Sequence, residues 1–312
     1  MTFVVYAIVC AGAAAFVIAS AARAAQYARA PLHLRWEVYP VPHEAPERVA
    51  HGGSYFERGE WWRAPRTPRR LGELRVMVPE ILFLRALRTH NRSLWSRSFP
   101  FHFGLYLVAA TTLAVFLAAA AARLAPAFPG SEAWTLALAA CETAGAAGVA
   151  LAVIGALGLL HRRLTDRALR VSTAPGDIAN LAFFLAALGL LGFGYATRPA
   201  GSPDLLALAS GLMAWDLGLA IPPALAAGVV ASAMLAAYIP LTHMAHFVAK
   251  YFTYHAVRWD DEPMSQAGRR AVMMADYLTF RPTWSAGHVR PAGESPTWAE
   301  IVAARPSREP RR

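Results

Sequence analysis

Residues 99–122 read FPFHFGLYLVAATTLAVFLAAAAA, a run without aspartate, glutamate, lysine or arginine. A transmembrane α-helix needs about 20 consecutive, mostly apolar residues. Four comparable runs accompany it, which predicts five spanning helices at about Phe3–Ala25, Phe99–Ala122, Ala133–Leu160, Ile178–Tyr195 and Ile221–Phe252. The sequence therefore predicts an all-α integral membrane protein built as a five-transmembrane-helix bundle.

The composition agrees with lipid rather than water as the main solvent. Hydrophobic residues make up 56% of the 312 residues and charged residues only 16%, whereas soluble domains carry roughly 25% charge. The only cysteines, Cys10 and Cys141, lie inside apolar runs and form no CxxC pair. The sequence therefore supports neither a cysteine-ligated iron–sulfur cluster nor a disulfide framework in this chain. If the protein works with an iron–sulfur cluster, a partner protein must carry that cluster.

The positive charge is one-sided. Of the 30 lysine and arginine residues, 28 lie in segments 24–98, 161–176 and 250–312 or at Arg23, and only Arg123 and Arg198 lie on the opposite side. The positive-inside rule then predicts a bacterial inner-membrane protein with a periplasmic amino terminus and a cytoplasmic carboxyl terminus. The same rule accounts for the net charge of +10, because arginine collects on the cytoplasmic side of a membrane protein. Binding of nucleic acid is not indicated, since the sequence has no basic helix or motif for it.

These spans divide the chain into four parts. Residues 1–25 form the first helix, which lacks a signal peptide's basic start and cleavage site and is therefore retained. Residues 26–98 form a long cytoplasmic insertion, 99–252 a core of helices two to five, and 253–312 a cytoplasmic tail. The insertion contains a predicted helix at about Leu71–Thr89, and outside the membrane Pro203–Asp216 is predicted to form an amphipathic surface helix. The insertion either packs on the membrane face or docks a cytoplasmic subunit.

Depth in the membrane selects the histidines that could bind a cofactor. His102 lies one turn into the second predicted helix, and His243 and His246 lie near the end of the fifth. Because these helices run antiparallel, His102 and His246 are predicted at similar depth, as two neutral imidazoles gripping one haem iron would be. Gly104, on the same turn as His102, is predicted to make room for the haem. The alternative is an ordinary helix–helix hydrogen bond.

Other ionisable groups have weaker claims. On a regular helix His243 and His246 project about 60° apart, so His243 is an alternative ligand. His161 is predicted to cap a helix end or, with Arg162 and Arg163, to contact a haem propionate. Glu142 lies inside the third helix, where a carboxylate is costly; it either handles protons or is a protonated, hydrogen-bonded group.

Three stretches carry a resemblance to a known family: FHFGLYL (101–107), LLHRRLTDRALRVSTAPGDI (159–178) and YIPLTHMAHF (238–247). They resemble the nitrate reductase gamma-subunit-like membrane cytochromes b. The insertion, with RWEVYPVP (35–42) and GGSYF (52–56), is similar to the version in the cytochrome b subunits of Tmc- and Dsr-type membrane redox complexes.

The resemblance implies a function. Such subunits bind haem b and exchange electrons between a membrane quinone, menaquinone or ubiquinone, and a cytoplasmic iron–sulfur partner. For this subfamily the partner is heterodisulfide-reductase-like, and a multihaem cytochrome c lies outside. The family's inner haem ligands correspond to His102 and His246, whereas the outer pair would fall near Thr112 and Gly228, which cannot ligate, so one haem is expected.

Two functions from other classes compete with this one. A haem-free membrane anchor for a soluble redox enzyme would need the same helices but no iron ligands. A small-solute transporter is disfavoured because the sequence shows neither inverted repeats nor paired broken helices.

Overall fold

The computed structural model describes residues 1–29, 70–125, 131–258, 269–282 and 296–303. Within these ranges every regular element is a helix, as the sequence predicts. In chain order the α-helices are α1 (Thr2–Arg29), α2 (Arg70–Phe83), α3 (Arg85–His90), α4 (Arg92–Leu124), α5 (Glu132–Thr165), α6 (Arg167–Ser172), α7 (Pro175–Ala196), α8 (Leu205–Ala214), α9 (Pro223–Tyr238), α10 (His246–Arg258), α11 (Arg269–Leu278) and α12 (Trp298–Ala303). Two short 3₁₀ helices, Ile239–Leu241 and His243–Ala245, join α9 to α10.

Five of the described helices are long and apolar enough to cross a membrane: α1, α4, α5, α7 and α9 with its first 3₁₀ turn. The first four overlap the predicted runs, and the fifth covers only the first part of the predicted Ile221–Phe252. Helices α4 and α5 extend beyond their apolar runs into polar ends and reach 33 and 34 residues. The all-α fold with five apolar helices of membrane-spanning length is confirmed, and helices of this kind are typical of a multi-pass membrane protein.

Large apolar side chains face outward along these helices. Leu113, Leu117, Ile154 and Phe193 each leave more than 60% of their surface uncovered by the rest of the chain. Apolar surface of this extent is unfavourable in water, and a soluble monomer rarely presents it in bulk. This exposed apolar surface is compatible with contact with the acyl chains of lipid.

The fifth helix is broken, which corrects the prediction of one helix over Ile221–Phe252. Helix α9 ends at Tyr238, and Pro240 cannot continue the ladder because it has no N–H. Thr242 then adopts an extended backbone with φ −115° and ψ −176°. Helix α10 begins afresh at His246, so the 60° angle expected between His243 and His246 on one regular helix does not apply.

The helix predicted at Leu71–Thr89 is likewise divided. Leu84 has a left-handed backbone, with φ 49° and ψ 50°, between α2 and α3. The turn is held on both sides: the Glu80 carboxylate accepts from the Ala86 N–H at 2.8 Å. The Trp95 indole N–H donates to the Phe83 carbonyl at 2.8 Å. These bonds offset the steric cost of a left-handed leucine, about 1–2 kcal/mol.

A helix forms within Pro203–Asp216, but without the predicted amphipathic character. Among the ten residues of α8 only Ser210 is polar, besides one glycine. Its Ala209 is buried against Val115 and Ala119 of α4. This helix therefore packs on the bundle through an almost wholly apolar surface.

Contacts group the chain into two compact units, Met1–Arg23 with Leu74–Phe247 and Ala24–Glu73 with Val248–Arg312. In the second unit the rings of Tyr27 and Phe252 pack 6.0 Å apart. The insertion motifs at 35–42 and 52–56, together with Trp61 and Trp62, lie outside the described residues.

Small residues let the spanning helices of the first unit approach closely. A side chain on Gly104 of α4 would lie 2.5 Å from the Gly148 carbonyl oxygen of α5, and one on Gly155 would lie 2.7 Å from the Phe101 Cα. Gly228 of α9 has the same relation to α7, because its Cβ would lie 2.5 Å from the Leu191 Cα. In lipid, helix association depends on such packing rather than on a hydrophobic force between helices.

Gly104→Ala should therefore destabilise the bundle. The added methyl group forces α4 away from α5, and overpacking of this kind costs about 1–3 kcal/mol. Gly189→Ala on α7 is the matched control, because nothing lies within 4 Å of its missing side chain and alanine favours a helix. Thermal unfolding in detergent, followed by tryptophan fluorescence, should show a lower midpoint for Gly104→Ala only. Equal midpoints for both variants would contradict the close approach.

Candidate functional site

The structure brings His102 and His246 together. His102 belongs to α4 and His246 is the first residue of α10, yet their ring centres are 6.1 Å apart, with the rings inclined at 69°. The two predicted ligands are thus neighbours in the structure, and their binding of a haem iron stays a prediction. It arises although the helix that was expected to carry His246 is interrupted.

The backbone of α4 sets the tautomer of His102. Its Nδ1 lies 2.8 Å from the Ser98 carbonyl oxygen and 3.2 Å from the Ser98 hydroxyl. A carbonyl oxygen can only accept, so Nδ1 carries the hydrogen and Nε2 carries the lone pair. Orientation of a histidine by a hydrogen bond at its second nitrogen is what a metal-ligating imidazole requires.

The interruption between α9 and α10 positions His246. The extended Thr242 turns the chain, and its hydroxyl accepts from the Met244 N–H at 3.2 Å. On the other side of the break, the Arg23 Nε of α1 donates to the Pro240 carbonyl at 3.3 Å. The segment before His246 is thus fixed by contacts within itself and with the first spanning helix.

The His102–His246 pair fits a haem iron in spacing and chemistry. A nitrogen ligand lies about 2 Å from a transition metal, so imidazoles on opposite sides of one iron place their ring centres roughly 6 Å apart. Phe101 lies beside the pair, with its ring centre 5.2 Å from that of His102. Within the described ranges no group of three or more histidine, cysteine, aspartate or glutamate side chains is placed to hold a metal ion.

Gly104 has another structural task. Its Cβ position faces the Gly148 carbonyl and the Ala152 backbone of α5, so this glycine serves the α4–α5 contact. Room for a haem at Gly104 stays a prediction.

His243 contacts a different set of residues. Its Nε2 lies 3.4 Å from the Asn180 amide nitrogen and 3.9 Å from a carboxylate oxygen of Asp177. Both partners belong to the first turns of α7. His243 therefore contacts α7 rather than the His102–His246 pair, although His243 and His246 are only three positions apart in the chain.

Asp177 and Asn180 join His243 to a larger polar cluster, which we call the α7 polar cluster: Arg163, Asp177, Asn180, Tyr238 and His243. Arg163 forms an ion pair with Asp177 at 3.1 Å, and the Tyr238 hydroxyl donates to the Asn180 side-chain oxygen at 2.9 Å. Asp177 also accepts from the Ala174 N–H at 3.1 Å, which caps α7. Sequence reasoning missed Asn180, although an amide inside an apolar run is a signal of a partner or a function.

The three residues predicted to contact a haem propionate lie close to other groups of the same chain. His161 is exposed, and its carbonyl accepts from the Thr165 hydroxyl at 2.8 Å. Arg162 lies 3.8 Å from the Asp166 carboxylate, and Arg163 is paired with Asp177. A propionate role for His161, Arg162 and Arg163 stays a prediction.

The two positions at which the resemblance would place outer haem ligands, Thr112 and Gly228, are occupied by packing residues. The Thr112 hydroxyl donates to the Val108 carbonyl of its own helix at 2.8 Å. Gly228 lies against the α7 backbone at Leu191. Neither offers a metal ligand.

Glu142 has a partner that the sequence did not reveal. The Tyr195 hydroxyl of α7 donates to its carboxyl oxygen at 2.8 Å. Arg198 stacks 3.6 Å above the centre of the Tyr195 ring and donates to the Tyr195 carbonyl at 2.6 Å. A carboxyl oxygen accepts in either protonation state, so this contact is compatible with both roles predicted for Glu142.

No protein-family model, curated protein or solved structure matches this chain.

Tyr195→Phe should destabilise the bundle by removing the partner of Glu142. Interhelical hydrogen bonds in membranes are worth about 0.6 to 2 kcal/mol. Thr143→Ala is the control, since that hydroxyl donates only within its own helix, to the Ala139 carbonyl at 2.8 Å. Thermal midpoints in detergent should fall for Tyr195→Phe and not for Thr143→Ala. An unchanged midpoint for Tyr195→Phe would contradict a stabilising contribution from this hydrogen bond.

Proposed function

We propose that this protein is the haem b-carrying membrane subunit of a respiratory redox complex, transferring electrons between membrane quinone or quinol and a cytoplasmic iron–sulfur partner. The single observation that carries the proposal is the 6.1 Å contact between His102 and His246. A b haem can be held by two histidine imidazoles from two helices. Here the tautomer of one of them, His102, is set by the Ser98 carbonyl.

The surroundings of the pair favour redox chemistry over a structural contact. His102 lies within the apolar span of α4, where an ionisable residue is costly and usually functional, and His246 is an exposed residue just beyond the end of the fifth span. The chain has only Cys10 and Cys141, in separate apolar runs, so it lacks the CxxCH motif that attaches a c-type haem. When bound, haem b would accept and donate one electron at a time, and this chain's residues would hold it and exclude water from it.

The distribution of arginine supports an orientation of the chain in the membrane and indicates the face on which the partner binds. His102, His246 and the arginine-rich turn Arg162–Arg163 belong to ends of helices that the positive-inside rule assigns to the cytoplasm. A haem at this end exchanges electrons most easily with an iron–sulfur subunit on the cytoplasmic face. The resemblance implies a heterodisulfide-reductase-like partner there and a multihaem cytochrome c in the periplasm.

We expect about one b-type haem per purified chain, because the described residues provide one histidine pair. His102→Ala and His246→Ala should lose the haem, since each removes an imidazole that would hold the iron. His243→Ala should keep it, because His243 contacts Asn180 and Asp177 instead. His90→Ala, at an exposed histidine of α3, is the matched control. Pyridine haemochrome assay and dithionite-reduced spectra measure these outcomes.

Two results would overturn parts of this proposal. A purified wild-type chain without b-type absorption, from cells that make haem, would favour the haem-free anchor. A value of two haems per chain would instead refute the single-haem expectation and require ligands outside the His102–His246 pair.

The cytoplasmic segments 35–98 and 253–312 are proposed as the docking surface for the iron–sulfur subunit, since arginine forks suit carboxylates on a partner. A photo-reactive phenylalanine at Val272, 61% exposed on α11, should cross-link to a cytoplasmic subunit in native membranes. The same probe at Leu113, 62% exposed on α4, is the control and should label lipid. Labelling of lipid alone from both positions, with the partner attached elsewhere, would favour a lipid-binding surface for these segments.

A further inference from the structure

The α7 polar cluster is built around an amide that the fold does not need for secondary structure. Asn180 lies on the second turn of α7 and is only 6% exposed. Its two polar atoms have separate partners, Tyr238 at 2.9 Å and His243 at 3.4 Å. The bond to Tyr238 joins α7 to α9, as interhelical hydrogen bonds do in membranes, and the bond to His243 gives this amide a second role, the orientation of that histidine.

The hydrogen bonds of the cluster orient His243. Because the Tyr238 hydroxyl donates to the Asn180 oxygen, the Asn180 side chain turns its N–H₂ toward His243, whose Nε2 then accepts. The network therefore assigns the hydrogen of His243 to Nδ1. That N–H is a donor on a side chain that is 68% exposed.

The surroundings of His243 suit a ligand that combines a polar ring with a lipid tail. Leu241 and Phe247 flank the histidine in sequence and leave 61% and 47% of their surfaces exposed. The His243 side chain therefore lies at the surface of the bundle, just beyond the last residue of the fifth apolar span, Leu241. A quinone fits these properties, since its ring oxygens accept hydrogen bonds and its tail stays in lipid.

The cluster also lies next to the histidine pair. His243 and His246 occupy one short segment after the break in the fifth helix. On the side of α7, Phe184 packs on Phe101 at 5.0 Å, and Phe101 lies beside His102. Both sites share the apolar core formed by Phe101, Phe184 and Leu235.

The second polar cluster of the bundle, around Glu142 and Tyr195, lacks this proximity. Glu142 and Arg163 are separated by 21 residues of α5, roughly 30 Å at 1.5 Å per residue. Electron transfer between a quinone there and the histidine pair would have to cross most of the membrane.

We propose that the α7 polar cluster binds the head group of the quinone, with the His243 Nδ1–H donating to one ring oxygen. This inference rests on the proposed electron-transfer function and names the place of its lipid substrate. Reduction of one quinone consumes two electrons, supplied singly by the iron–sulfur partner, and two protons from water at this end of the bundle. Quinol oxidation releases the same electrons to that partner and the same protons to water.

The test is a binding titration of the full-length protein in detergent with a short-chain naphthoquinone, measured by calorimetry. His243→Ala should weaken binding by about tenfold, the loss that one hydrogen bond would cause. His243→Asn, whose amide N–H lies near the position of Nδ1–H, should recover part of the affinity. His90→Ala should bind like the wild type. Because His243 is exposed, its replacement leaves the fold intact, and the haem content of each preparation is measured in parallel.

The outcomes separate this inference from the function it rests on. Equal affinity in wild type and His243→Ala, with haem bound in both, overturns the quinone site and leaves the haem proposal standing. A His243-dependent affinity in a chain that binds no haem supports the site and overturns the electron-transfer function. Loss of affinity in His90→Ala as well as in His243→Ala would show a general effect of histidine removal and would also overturn the site.

Discussion

The contact between α4 and α5 depends on the absence of side chains. The two backbones come so close at three glycines that an added Cβ would collide with the neighbouring helix: Gly104, Gly148 and Gly155. In lipid no hydrophobic force drives helices together, so close packing of the two backbones supplies the attraction that burial of apolar surface supplies in water. The orientation of α4, and with it the direction of His102, follows from this contact. Phe101, the residue before His102, is packed against Gly155 for the same reason.

The interrupted fifth helix is the second constraint. A backbone surrounded by lipid must satisfy its polar groups internally, which favours unbroken helices. Here the break occurs at one end of the span, where Arg23, Thr242 and the α7 polar cluster provide hydrogen-bonding groups. The break separates two histidines that a continuous helix would have kept on neighbouring faces, directing one toward α4 and the other toward α7.

The spans could be predicted from sequence because each rests on a local property, a run of about 20 apolar residues. The pairing of His102 with His246 was also accessible, since antiparallel helices of known ends fix relative depth. The breaks at Leu84 and Pro240 were not, because proline is tolerated in spanning helices and a left-handed leucine has no local signature. Tyr195 and Asn180 escaped notice because their importance lies in partners more than 50 residues away. The prediction that α8 is amphipathic was wrong because it counted the polar residues at the ends of the segment, Asp204 and Asp216, whereas the helix between them is almost wholly apolar.

The two histidines of the central contact are 144 positions apart in the chain. At about 5–20 residues per second of synthesis, roughly 7 to 30 s pass between the emergence of His102 and that of His246. During this interval α5, α7 and α9 are synthesised, whereas the Ser98 carbonyl that accepts from the His102 Nδ1 belongs to α4 itself and is made before His102. The site between the two rings is consequently a product of the last step of assembly. Any group held there is loaded onto an almost complete bundle, and a chain that stops before α10 displays only half of the site.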